Sequence, residues 1–235
     1  VVNWAYNYPR SIKKKRHRGT VMDNKIHDMT TGSPVRLIIR FMIPMFLGNV
    51  FQQFYNIADS IVAGQFIGVT ALAAIGSTGS LMFFVTGWLN GLSSGFAILV
   101  SQWFGAKQYD RMRHYVAMSV YLAAAFAILM TAGLLIANEP ILRLMNYSDD
   151  IMPDVKLYMG IIYAGLIVTA AYNSLAAFLR ALGDSKSPLY FLIISAAINV
   201  VLDIAFIVVF GMGVEGCAYA TVIAQGISAL LCFVY

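Results

Sequence analysis

Only 11% of the 235 residues are charged, whereas 60% are apolar or aromatic, and the mean hydropathy is +0.73. A soluble domain carries roughly 25% charged residues, so most of this chain's outer surface faces something other than water. The net charge of +5 does not point to nucleic acid, because nine of the sixteen Lys and Arg precede Phe41 and the others occupy short gaps between apolar blocks. That distribution is a membrane-topology signal, not a basic groove.

Residues 1–34 read as a cytoplasmic tail containing the basic run RSIKKKRHR at 10–18. The run suits a polybasic lipid-binding segment, the n-region of a signal peptide, or upstream sequence ahead of a start at Met22. The next apolar block begins only near residue 41 and is too long for a signal peptide. The expectation is therefore that residues 1–21 are not native.

A spanning helix needs about 20 mostly apolar residues. Six blocks qualify, at 41–63, 71–103, 115–137, 157–179, 189–210 and 217–235, predicting an all-α six-transmembrane-helix bundle over residues 35–235. Pro44 lies inside the first block and removes a backbone hydrogen bond, which predicts a kink. The second block is over-long and is expected to tilt, project or break. Its Gly87, Gly91 and Gly95 recur every four residues on one face, the pattern of close helix packing. Pro140 and Pro153 are expected to flank the gap before the fourth span. Pro188 opens the fifth in its first turn, and Gly183-Asp184 makes the turn ahead of it. The chain stops inside the apolar run ISALLCFVY at 227–235, as expected of a fragment.

The gaps alternate in charge. Lys25, Arg36 and Arg40 precede span one, Lys107, Arg111 and Arg113 follow span two, and Arg180 and Lys186 follow span four. The intervening gaps are neutral or acidic, so the positive-inside rule predicts a cytoplasmic N-terminus. Cys217 and Cys232, fifteen residues apart on the last span, suggest neither a disulfide nor a metal site. His17, His27 and His114 have no ligand spacing. No Walker loop, GxSxG, HExxH or CxxC occurs, and the chain does not read as an enzyme.

Asp59 and Asp203 are the only ionisable side chains inside the blocks. An intramembrane Asp costs about 2.5–3.5 kcal/mol on insertion scales and usually faces inward for a functional reason; the bland alternative is an interfacial position near a helix end. At 1.5 Å per residue, Asp59 lies about 27 Å and Asp203 about 21 Å along outward-running spans, so the two carboxyls can share one polar cavity. Each continues a polar stripe at helical spacing. Asn49, Gln52, Gln53 and Asn56 lead to Asp59 or Ser60, and Ser195 and Asn199 lead to Asp203. Span four offers Thr169, Tyr172 and Asn173, and span six Thr221, Gln225 and Ser228. Such stripes serve either as interhelical hydrogen-bond glue or as the wall of a hydrated cavity; four in one bundle favour the cavity. Burial favours the neutral form of a carboxyl and a second carboxylate reinforces this, which suits uptake and release of a proton. Carboxylate, Asn and Thr oxygens equally suit Na⁺.

Several ordered motifs then carry a resemblance. QQFYNIADSIVAG at 52–64, ALAAIG at 71–76, LVSQWFGAK at 99–107, RALGDSKSP at 180–188, INVVLD at 198–203 and GCAYATVIAQ at 216–225 resemble the N-terminal lobe of multidrug and toxic compound extrusion (MATE) transporters. The resemblance implies one six-helix lobe of a twelve-helix protein of the plasma membrane, exporting small organic, often cationic, compounds in exchange for H⁺ or Na⁺. It implies no cofactor besides the coupling ion. Asp59, Asn199, Asp203 and Thr221 fall on the family's cation-site positions, the first three as Na⁺ ligands if Na⁺ is used, and Pro44 on a helix-bending proline. Partners are then the bilayer, organic substrates and a missing C-terminal lobe, or a second copy of the chain. A related flippase for lipid-linked saccharides is the nearest alternative, although its pyrophosphate cargo favours Arg or Lys inside the spans. A non-transporting membrane scaffold is the third.

Overall fold

The computed structural model describes residues 33–235, so the basic run and the start at Met22 lie outside the described residues. The described residues form helices joined by short turns: α1 (Pro34–Phe66), α2 (Val69–Ser77), α3 (Gly79–Gly105), α4 (Tyr109–Leu144), α5 (Met152–Ala164), α6 (Leu166–Ala181), α7 (Lys186–Ile204) and α8 (Val214–Val234). A five-residue π-helical turn, Ala205–Val209, continues α7. Five of the resulting segments are long and apolar enough to cross a membrane, and the bent pair α5–α6 makes a sixth.

Large apolar side chains point outward on this bundle. Phe83, Ile136 and Leu144 are each more than 80% exposed, an arrangement that water would penalise and lipid does not. Small and branched residues fill the interior instead, among them Ala63, Ala71, Ala74, Ala127, Ala218 and Val155. Helix backbones can approach closely where side chains are this small. α8 sits centrally, packed on α5, α6 and α7; α1 packs on α7 at one side, and α3 and α4 pack on α6 at the other.

Several boundaries differ from the sequence expectation, each for a local reason. The over-long second span takes one of its three expected outcomes and breaks, at Thr78, whose hydroxyl donates to the Ile75 carbonyl (2.6 Å) at the α2–α3 junction. Gly87, Gly91 and Gly95 do not pack against another helix here: a Cβ at any of them would meet nothing within 4 Å. Gly87 and Gly91 line an open apolar groove with Phe83, Phe84, Trp88 and Phe126. α4 runs through Pro140 to Leu144 instead of ending before it. Buried Leu142 and the Glu139–Arg143 pair (2.6 Å) hold its last turn. Pro44, where a kink is expected, is buried within the single helix α1, and its ring leaves the Arg40 carbonyl without its helical donor.

The fourth span carries a bend that no proline announces. α5 and α6 meet at Gly165 at 49°. Gly165 faces Val222 of α8 so closely that a Cβ there would lie 2.9 Å from Val222 Cγ1 and 3.2 Å from its Cβ. At the C-terminal end of α6, Gly183 adopts φ +91° in the α6–α7 turn. Asp184 beside it accepts from the Lys186 and Ser187 amides at 3.1 and 3.0 Å, satisfying donors that α7's first turn cannot bond internally.

Candidate functional site

Three helices bring four of the predicted residues together. Asp59 comes from α1, Asn199 and Asp203 from α7, and Thr221 from α8; Asp59 and Thr221 are 4% exposed, and Asn199 and Asp203 not at all. Asn199 and Asp203 are four residues apart, so one face of α7 presents both. The Thr221 hydroxyl donates to Asp59 Oδ2 at 3.1 Å. Asn199 and Asp203 face the same carboxyl closely enough to interact with it. Both carboxyls therefore lie inside the bundle and not on its lipid-facing side.

The group is polar and under-satisfied. Asp59 Oδ1, both side-chain atoms of Asn199 and both carboxyl oxygens of Asp203 complete no hydrogen bond among the described residues. A buried unpaired polar atom costs about 1–3 kcal/mol, more when charged, and native proteins seldom leave five atoms this way without a functional reason. Four of the five are oxygens, the ligand type of a hard cation and the acceptor type for a shared proton. Among the described residues no three His, Cys, Asp or Glu converge on one point.

Two neighbours escaped the sequence reading. Tyr158 of α5 and Cys217 of α8 are buried near the group. Both sit near the ends of their spans, and the available signal was depth: each lies at the end of its helix where the carboxyls are. Tyr158 is carried there by α5, which the bend at Gly165 aims apart from α6.

The other candidates stay outside the group. On α1, Gln53 and Asn56 are exposed and Gln52 half-buried, so the polar stripe splits: Asp59 turns inward and the residues before it turn outward. Tyr172, Asn173 and Gln225 are half-buried. Gln225 accepts a hydrogen bond from Thr169 across α6 and α8. Ser228 donates to the Phe191 carbonyl (3.3 Å), and Ser195 donates to that of Ala224. Thr169 and Gln225 therefore tie α6 to α8, and Ser195 and Ser228 tie α7 to α8. Their hydroxyls find carbonyls across the α7–α8 contact, where the backbones are near.

The MatE family model matches residues 44–205. The probable multidrug resistance protein YpnP of Bacillus subtilis is 32% identical over 206 residues, 88% of this chain and 46% of its own length. YoeA of the same organism, also described as a probable multidrug resistance protein, is 32% identical over 199 residues, 83% of this chain and 43% of its own. A solved structure of a MATE in the bent conformation superposes with TM-score 0.80 at 27% identity, covering 86% of this chain and 45% of that one. An outward-facing multidrug resistance MATE transporter gives TM-score 0.79 at 27% identity, covering 86% and 44%. The chain thus spans a little under half the length of the curated relatives it matches.

Proposed function

The chain belongs to the MatE family, and from that premise we propose that it is the N-terminal lobe of a secondary active antiporter. The antiporter exports small organic, often cationic, compounds in exchange for H⁺ or Na⁺. The observation that carries this reading is the buried group of Asp59, Asn199, Asp203 and Thr221, with its five unpaired polar atoms. Two carboxyls this close, shut away from water, do not both stay charged without a counter-charge. One proton shared between them, or one Na⁺ held by their oxygens with those of Asn199 and Thr221, resolves the conflict. An ion that binds here more tightly in one conformation than in another shifts the balance between them by that difference in affinity.

In this reading α1 is the element that responds. It contributes Asp59 to the site, is the least enclosed of the spanning helices, and carries Pro44 as the point where bending meets least resistance. The exposed face of α1 with Gln52, Gln53 and Asn56 then looks toward the cleft between this lobe and a second one, where the organic substrate binds. A second lobe of similar size completes alternating access, since rocking requires two halves around one cleft. The protein is then a multi-pass protein of the plasma membrane with a cytoplasmic N-terminus.

Asp203→Asn in the complete transporter tests the proposal. Ion-driven efflux of a fluorescent organic cation from loaded cells is expected to collapse while expression and membrane insertion persist. Undiminished efflux would remove the coupling role. Imposing a proton gradient and a sodium gradient separately on vesicles distinguishes the two ions.

A further inference from the structure

We propose that the α3–α4 turn is a docking site for the headgroup of an anionic phospholipid. Lys107, Gln108, Tyr109, Asp110, Arg111 and Arg113 line an open recess of about 560 Å³ at this turn. Three cations face one carboxylate there, and among the described residues none of Lys107, Arg111 and Arg113 is in an ion pair. Arg111 is held in place even so. Its guanidinium carbon lies 4.9 Å above the Trp103 ring, and Trp103 stacks on Tyr115 at 5.7 Å with the planes 12° apart. A cation seated on an aromatic platform loses little freedom when an anion arrives. Lys107 adopts φ +57° at the apex of the turn, which brings a third positive side chain to the recess beside those of Arg111 and Arg113.

The height of the recess identifies the anion. α3 and α4 are membrane-length helices that meet at this turn, and Trp103, Tyr109 and Tyr115 form the kind of aromatic belt that sits at headgroup level. Phosphates of lipids therefore stand beside the recess, and basic pockets between spanning helices are suited to them. Arg111 and Arg113 supply the donors for the phosphate oxygens, while the rings of Tyr109 and Trp103 lie against the glycerol and upper acyl chain. The sequence alone accounts for these cations as topology signals, which requires charge but neither a recess nor a stacked arginine.

Tryptophan quenching in vesicles tests the proposal. With Trp4 and Trp88 changed to Phe, Trp103 is the sole reporter in the chain. The purified chain is reconstituted in phosphatidylcholine containing rising fractions of brominated phosphatidylglycerol or brominated phosphatidylcholine. The expected result is preferential quenching by phosphatidylglycerol, with the preference falling about fivefold in Arg111→Gln and about fivefold again when Lys107→Gln is added, as one basic residue near an anionic surface contributes. Arg111→Lys keeps the charge and retains most of the preference. Equal quenching of all variants by brominated phosphatidylcholine verifies that each is inserted at the same depth. Equal quenching of the unsubstituted turn by the two lipids overturns the proposal, as does a preference that survives both substitutions. Loss of the preference on adding millimolar inorganic phosphate assigns the site to a soluble anion and overturns the lipid assignment.

Discussion

Gly165→Ala sets two effects of opposite sign against each other. Gly165 has φ −79° and ψ −5°, a conformation alanine adopts freely, so backbone entropy alone predicts a gain of about 0.5–1 kcal/mol. The new Cβ, however, would lie 2.9 Å from Val222 Cγ1 and 3.2 Å from Val222 Cβ, and closer still to Cγ2. Rotating χ1 of Val222 cannot relieve this, because its own Cβ takes part in the conflict. α8 must therefore shift from the α5–α6 bend, and overpacking of this kind costs about 1–3 kcal/mol. Contacts this close belong at the upper end of that range, so the clash wins with a net loss of roughly 1–2.5 kcal/mol, or about 2–10 °C in Tm for a domain of this size. Thermal unfolding in detergent, followed by size-exclusion of the surviving fold, measures it. Val222→Ala removes both methyls and leaves only the 3.2 Å contact, so the double variant is expected to recover at least about 1 kcal/mol of the loss. A Gly165→Ala protein as stable as the parent, or a loss that Val222→Ala leaves unchanged, would refute the idea that the bend exists to let α8 pass.

Two further predictions concern smaller groups. Thr221→Val keeps the shape but removes the donor to Asp59; a hydrogen bond to a charged group is worth about 1.5–3 kcal/mol. The concentration of coupling ion giving half-maximal efflux is therefore expected to change roughly tenfold or more. Asp184 is predicted to make stability pH-dependent. Burial opposes its charge, but hydrogen bonds from the Ser187 hydroxyl and amide, the Tyr235 hydroxyl and the Lys186 amide outweigh it and hold the carboxyl below its ordinary value. A carboxyl depressed in the folded state stabilises fully above its unfolded value, about 3.9, and loses that contribution as pH falls through the folded one. Asp184→Asn, which keeps an acceptor without the charge, is thus expected to lower Tm at pH 7 and to approach the parent as the pH falls toward 3; a Tm gap that stays constant across the range contradicts this.

Much of the candidate site was legible because membranes make charge conspicuous. Asp59 and Asp203 stand out as the only ionisable residues in their blocks, and the four-residue spacing of Asn199 and Asp203 puts both on one face. Tyr158 and Cys217 were not legible, since a Tyr or Cys near a span end is unremarkable until a particular helix neighbour is known. The outward turn of Gln53 and Asn56 was missed for a related reason. Spacings of three and four define a face about 100° wide, and Asp59 lies at its edge.

The amino-acid sequence by itself determined the solvent, the helical class, the number of apolar segments and the two acidic positions, because each follows from hydropathy summed along the chain. Only the tertiary structure decided the break at Thr78, the bend at Gly165, the open face of Gly87, Gly91 and Gly95, and which polar residues meet and which tie one helix to the next. The physical reason is that hydropathy is additive in sequence, whereas packing depends on contacts such as Gly165 against Val222 or Asp59 against Thr221. Those partners lie far apart in the chain and have no signature until they are brought together.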